Sequence, residues 1–115
     1  MRLENWRAVG KDQTSVSAEN ASDLKLAWVF AFPGSTRSRV QPTVAGDVLF
    51  TADQFGTVYA LDAATGCTRW TVQSDKEIRS PLIVGTNTAG EPDTLYFGDI
   101  AGQVHAIDLA TRQIV

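Results

Sequence analysis

Three polar residues of this 115-residue chain have the chemical type and the placement to bind an anion. Arg79 opens one apolar segment, and Arg39 and Gln41 precede another. A guanidinium group presents a planar fork of donors that matches a carboxylate in a bidentate manner. A solvated loop position is the alternative for Arg79, which has Glu77 beside it in the sequence, and an exposed basic loop is the alternative for Arg39. The residues alone leave both interpretations open.

Other residues of chemically active type are better explained by structure. Cys67 is the single cysteine and cannot form an internal disulfide, and His105 is the single histidine. Asp62 and Asp108 stand in turn-forming sequences, where a carboxylate can bond the turn backbone. We therefore expect none of these four residues to be catalytic.

Composition excludes several classes of protein. The chain is 43% hydrophobic with a formal net charge of −3, which is typical of a globular protein. Its most basic stretch, Arg37-Ser38-Arg39, has no interleaved aromatic residue, so we expect no nucleic-acid partner. No apolar run reaches the ~20 residues of a membrane-spanning helix. The N-terminus also lacks the apolar region of a secretory signal.

The chain contains an internal repeat. Residues 49–65 align without a gap on residues 95–111 at a constant offset of 46. Upstream, Pro42 corresponds to Pro81 at an offset of 39, so the second copy has 46 − 39 = 7 extra residues in a turn-forming stretch. Trp28 corresponds to Trp70 at an offset of 42, which indicates a third, partial copy.

Short segments rich in β-forming residues, separated by turn formers, predict an all-β fold. About four strands per repeat of about 40 residues, with one tryptophan each, is typical of a β-propeller blade. We expect a lead-in at 1–25, a first blade at 26–73 and a second, truncated blade at 74–115, with one helical turn at 17–21 capped by Ser17. The predicted strands are 26–32, 41–45, 47–52, 57–62, 68–73, 80–84, 94–98 and 103–108.

The segment from Ala60 to Trp70 resembles the tryptophan-docking motif of the pyrroloquinoline quinone (PQQ)-dependent dehydrogenases. Residues 27–34 and 41–46 resemble the first blade of that family. The Thr-Gly-Cys within the motif is similar to that of polyvinyl-alcohol dehydrogenase-like quinoproteins. The resemblance implies a two-blade, N-terminal fragment of an eight-bladed propeller whose tryptophans, Trp28 and Trp70, are largely buried where each blade meets its neighbour. Arg112 replaces the motif glycine in the second copy.

The same resemblance implies a function. The parent protein would be a periplasmic alcohol dehydrogenase with PQQ and Ca²⁺, passing electrons from an alcohol to cytochrome c. This fragment would be inactive without the remaining blades, because the family's catalytic base and metal ligands lie in later blades. Arg79, Arg39 and Gln41 would contact PQQ, although many relatives carry glutamate in place of Arg39.

A non-enzymatic function remains open as the alternative. The same repeats build propeller scaffolds of the outer-membrane assembly type, which bind partner proteins and no quinone. A catalytic aspartate elsewhere in the parent protein would distinguish the dehydrogenase from the scaffold.

Overall fold

The structure, a computed structural model, describes residue 12 and residues 14–115, and these form two four-stranded antiparallel sheets. In each sheet the strands follow chain order, as in a propeller blade. The all-β propeller prediction is confirmed. Blade 1 contains β1 (Thr43–Ala45), β2 (Val48–Ala52), β3 (Thr57–Asp62) and β4 (Thr68–Gln73); blade 2 contains β5 (Ile83–Thr86), β6 (Pro92–Gly98), β7 (Val104–Asp108) and β8 (Gln113–Ile114).

The central hairpin of each blade closes on an aspartate. Asp53 Oδ1 accepts hydrogen bonds from the backbone N–H groups of Phe55 (2.9 Å) and Thr57 (3.0 Å). Gly56 completes this turn with φ +84°, a backbone conformation that costs glycine little. The equivalent turn in blade 2 is built in the same way around Asp99.

Strand β3 is covered on both faces, as its apolar sequence predicts. Val58, Tyr59, Ala60 and Leu61 are all buried. Val58 and Ala60 belong to the core between the two blades, whereas the ring of Tyr59 packs edge-on against aromatic side chains of the preceding segment. The core therefore lies between stacked sheets. It consists of Val40, Phe50, Ala52, Val58, Ala60, Ile78, Leu82, Leu95, Phe97 and Ile107.

The predicted strand at 26–32 is wrong. This segment has no strand partner among the described residues, so it is not part of either sheet. Its aromatic side chains account for the apolar pattern instead. Phe30 and Phe32 pack against each other and against Tyr59, with ring centroids 5.3–5.5 Å apart.

The predicted helical turn is present in a different form. The carbonyl of Ser17 accepts the N–H of Ala21 (2.9 Å), and a short 3-10 helix follows at Ala21–Asp23. Asn20, not Ser17, occupies the N-cap position, because the helix begins at Ala21. The Ser17 hydroxyl bonds the carboxylate of Glu19 instead. Of the expected lead-in at 1–25, residues 1–11 and 13 lie outside the described residues.

The two repeat tryptophans make different contacts. Trp28 donates from Nε1 to the carbonyl of Ala63 (3.1 Å), and its ring lies against Gly66. Trp70 instead packs against Phe50, with ring centroids 5.8 Å apart. Both tryptophans are of intermediate exposure, Trp28 resting on the turn of blade 1 and Trp70 packing against the interblade core.

Candidate functional site

The segments that lead into the first strand of each blade lie side by side. Strands β1 and β5 are neighbours across the blade interface, and the hydroxyl of Thr43 donates to the carbonyl of Leu82 (2.6 Å). The preceding residues, 37–42 and 77–82, are consequently at the same end of the two blades. All three predicted site residues lie within these segments.

Buried anchors fix these segments and turn the polar residues outward. Val40, Ile78 and Leu82 are 7%, 1% and 1% exposed and enter the interblade core. Arg39 and Arg79, the neighbours of Val40 and Ile78 in the sequence, are exposed. Side chains alternate in direction along extended backbone, so anchoring one residue presents the next to solvent.

Arg79 is held by a bidentate ion pair with Glu77. Its Nε lies 2.9 Å from Oε1 of Glu77, and its Nη2 lies 3.1 Å from Oε2. The carboxylate is 13% exposed and the guanidinium side chain 47% exposed, so Glu77 is the inner partner. Glu77 is the acidic residue noted beside Arg79 in the sequence, and the structure shows that the two side chains form an ion pair.

Two further arginines act on the same carboxylate. The pKa of Glu77 is lowered, first by its hydrogen bond with Arg79 and further by the positive charges of Arg37 and Arg39. Three guanidinium groups therefore lie within electrostatic reach of one carboxylate. These four side chains carry a formal charge of 3 − 1 = +2, which the carboxylate of Asp99, bridged to this segment at Ile78, offsets in part.

Glu77 occupies only one edge of the Arg79 fork. A guanidinium has five N–H donors, and the pair with Glu77 uses Nε and one hydrogen of Nη2. The opposite edge, formed by Nη1 and the second hydrogen of Nη2, can still bind a carboxylate. Glu77 thus orients Arg79 without exhausting its donors.

Arg39 and Arg79 both act on the carboxylate of Glu77, and Gln41 is exposed. Sequence reasoning missed Arg37 as a member of this cluster. A signal for it exists, since Arg37 and Arg39 are two residues apart and share a face in extended backbone. Cys67 is an exposed free thiol in a turn, as expected.

No group of three or more metal-ligating side chains occurs within the described part of the chain. Over the same part of the chain, no helix is long and apolar enough to span a membrane.

Comparison with known proteins places the chain in a family. The family model described as outer membrane protein assembly factor BamB (PQQ_2) matches residues 4–114. The chain belongs to this family. Polyvinylalcohol dehydrogenase of Sphingopyxis sp. (strain 113P3) is 39% identical over 90 residues, which cover 76% of the chain. Quinoprotein glucose dehydrogenase of Escherichia coli (strain K12) is 31% identical over 83 residues, which cover 58% of the chain.

These matches confirm the resemblance found in the sequence to quinoprotein dehydrogenase repeats. They also show that the chain spans 14% and 10% of the length of these two relatives. Among solved structures, BamB from Moraxella catarrhalis superimposes with a TM-score of 0.59 at 21% identity, over 76% of this chain and 26% of that one. That similarity confirms the propeller fold.

Proposed function

We propose that these two blades belong to a PQQ-dependent alcohol dehydrogenase and contribute part of its cofactor site. The observation that carries the proposal is the Arg79 guanidinium, held by Glu77 at one end of the blades with Arg37 and Arg39 within electrostatic reach of the same carboxylate. Similarity to quinoprotein dehydrogenases gives that cluster a ligand of matching chemistry. The parent protein would act in the periplasm, oxidise an alcohol and pass electrons to cytochrome c.

The ligand and the cluster are complementary in charge and shape. PQQ is a flat tricarboxylate, and arginine pairs with carboxylates in the plane of its fork. Arg79 would bind through the edge that Glu77 leaves open, Arg39 would add a second cation, and Gln41 would supply an amide. When bound, PQQ supplies the chemistry by accepting two electrons. Bound Ca²⁺ would be held by residues outside these blades.

The contact of Trp28 with the turn of blade 1 also supports the proposal. Trp28 lies on the turn from Asp62 to Gly66, with its indole N–H bonded to the turn backbone. We expect this contact to be the tryptophan docking that joins one blade to the next in the family. A firmly docked blade would keep the arginine cluster in place for a rigid ligand.

The proposal is tested by titrating PQQ into the apo form of the protein that carries these blades. Arg79→Ala should weaken binding by about 1.5–3 kcal/mol, the scale of a hydrogen bond to a charged group. Arg79→Lys should recover part of this loss because lysine lacks the planar fork. Arg112→Asn is the matched control, since it removes one positive charge from the opposite end of β7 and suits the φ of 60° there. Equal affinity of Arg79→Ala and Arg112→Asn would contradict the assignment.

A propeller scaffold without a quinone is the second candidate. The description of the matching family model and the solved structure of BamB favour it. The same titration separates the two functions. Saturable PQQ binding that depends on Arg79 supports the dehydrogenase, whereas a folded protein that binds no PQQ supports the scaffold.

A further inference from the structure

The two blades hold equivalent turns with the same carboxylate but with different partners. In blade 1, Tyr59 donates from its hydroxyl to Oδ2 of Asp53 (3.0 Å). In blade 2, Nε2 of His105 lies 2.8 Å from Oδ2 of Asp99. Both members of the pair are shifted by the repeat offset, since 99 − 53 = 46 and 105 − 59 = 46. An imidazole therefore stands in blade 2 where blade 1 has a phenol.

Asp99 organises the turn that follows β6. Its Oδ1 accepts the backbone N–H groups of Ala101 (2.8 Å) and Gln103 (3.0 Å), while Oδ2 meets His105. The Asp99 side chain is 1% exposed. A carboxylate so buried depends on its protein partners, because an unpaired buried polar group is costly. His105 is thus required to satisfy the group that shapes this turn.

The turn is bonded to the segment that carries Arg79. The N–H of Ile100 donates to the carbonyl of Glu77 (3.0 Å), and Ile78 forms a β-bridge with Asp99. One residue earlier, the N–H of Gly98 donates to the hydroxyl of Ser80 (2.7 Å). A change at the turn around Asp99 therefore reaches the backbone on both sides of Arg79.

The surroundings of His105 make its protonation state consequential. Histidine is the side chain that ordinarily changes charge between about pH 5 and 8. Asp99 stays ionised over that range, because its pKa is lowered, chiefly by the hydrogen bond with His105. The imidazole also stacks on Phe97, with ring centroids 5.0 Å apart and an interplanar angle of 17°. A protonated ring would gain a charge-assisted bond and a cation–π contact, and a neutral ring neither.

The other charged groups near this turn are already paired or lie in solvent. The segment packed against the turn contributes Glu77 and Arg79, which pair with each other, and the exposed Arg37 and Arg39 lie within electrostatic reach of Glu77. Asp75 and Lys76, earlier on the same linker, are exposed. Strand β6 contributes the uncharged Phe97. Asp99 is consequently the charged partner that the ring of His105 meets directly.

We propose that His105 is a positioning residue for Arg79, acting through Asp99 and the turn at 99–102, and that protonation of its ring tightens this arrangement. The contact between His105 and Asp99 in blade 2 would then respond to pH, whereas the equivalent contact between Tyr59 and Asp53 in blade 1 would not. The inference rests on the proposed function only for the ligand of Arg79. The coupling itself follows from the hydrogen bonds between the turn and residues 77–80.

The coupling is tested without any ligand, by hydrogen exchange of the turn amides 100–103 in the protein that carries these blades. After correction for the intrinsic exchange rate, protection should be about three- to tenfold higher at pH 5.5 than at pH 8, the gain expected of a charge-assisted bond. His105→Tyr, which installs the blade 1 pair, should protect the turn equally at both pH values. His105→Phe keeps the ring stack and should lower protection at both. A pH dependence that survives in His105→Tyr would overturn the proposal.

The link to Arg79 is tested by PQQ affinity in the same variants at both pH values. His105→Phe should weaken PQQ binding about threefold or more, and His105→Tyr should restore it and remove its pH dependence. Where Arg79→Ala weakens binding but His105→Phe does not, the positioning role is wrong and the proposed function stands. Where the exchange results hold but Arg79→Ala leaves PQQ affinity unchanged, the ligand assignment is wrong and the coupling stands.

Discussion

Blade 1 and blade 2 share a backbone plan but differ in the chemistry at equivalent positions. The turn after β3 ends at Gly66 with φ +74°, and the turn after β7 ends at Arg112 with φ 60°. Both residues donate their N–H to the carbonyl of an aspartate four residues earlier, at 2.8 Å and 2.7 Å. The left-handed conformation is therefore retained without glycine, at a cost of about 1–2 kcal/mol.

The loss of that glycine accompanies a change in tryptophan packing. A Cβ built on Gly66 would lie 2.5 Å from a ring atom of Trp28, so the ring can rest on this turn only because no side chain is present. Arg112 has a Cβ, and Trp70 packs against Phe50. The repeat therefore preserves the backbone geometry of the turn, while single substitutions determine how closely each tryptophan packs against it.

The largest effect that would sharpen this comparison is expected from Gly66→Ala. The new methyl group would collide with Trp28, and the backbone would also be strained, so we expect a loss of about 2–4 kcal/mol in local stability. Gly102→Ala is the matched control, because Gly102 has φ +81° and open space around its built Cβ. It should cost only about 1–2 kcal/mol. Hydrogen exchange of β3 and β7 measures both, and equal losses would show that the Trp28 contact adds nothing.

Much of this fold could be predicted from the sequence because the repeat aligns its turn chemistry. The strands at 57–62 and 68–73 were predicted at the residues where they occur, since aspartate and glycine bracket them. The segment at 26–32 has the same apolar composition as a strand. A strand also requires a hydrogen-bonded neighbour, and apolar composition carries no information about that neighbour.

The candidate site could be predicted only residue by residue. Arg79 was identifiable from its type and its place before a strand. Its bidentate pairing with Glu77 is local, since the two residues are two positions apart, whereas the approach of Arg37 depends on how two blades stack. The partnership of His105 with Asp99 likewise depends on strand register, which pairs β6 with β7 across the hairpin. Single-residue reasoning interpreted His105 as structural and had no signal for its carboxylate partner.

A smaller effect is expected from Tyr59→Phe, which removes the hydroxyl that donates to Asp53 in blade 1. Asp53 is 2% exposed and would lose the donor to its Oδ2, so local stability should fall by about 1–3 kcal/mol. Burial, reinforced by the bond to Asp53, raises the pKa of Tyr59, so the hydroxyl stays a donor and the loss should be the same at pH 5.5 and pH 8. Exchange of the amides at 55–57 reports it.

Tyr96→Phe is the control for that variant. Tyr96 is 42% exposed on the open face of blade 2, so its hydroxyl can bond water and its removal should change stability by less than about 0.5 kcal/mol. The comparison between the blades would break if Tyr59→Phe were as mild as Tyr96→Phe, or if its cost varied with pH as the His105 pair is expected to do.

The smallest effect is expected at Arg69, which follows the last turn of blade 1. Blade 2 has no arginine at the equivalent position after its last turn. Arg69 bridges Asp47 (2.7 Å) and Asp62 (2.6 Å). The pKa of Asp62 is lowered to about 2, first by the hydrogen bond with Arg69, and that of Asp47 is lowered by the same group. In blade 2, the pKa of Asp108 is lowered chiefly by hydrogen bonds from Thr111, with no arginine involved. Arg69→Gln should therefore make the first turn behave like the second.

The sign of the pH effect follows from the lowered pKa values. A depressed carboxyl pKa contributes stability that is present above the ordinary value near 3.8 and is lost as the pH falls towards about 2. The difference in free energy of unfolding between the unsubstituted protein and Arg69→Gln should thus be constant above about pH 4.5 and shrink between pH 4 and pH 2. Because these groups are in contact with solvent, 1 M salt should reduce the difference at every pH. Urea unfolding across this range measures it, and a difference that stays unchanged down to pH 2 would mean that Arg69 acts through packing of its aliphatic stem and not through its charge.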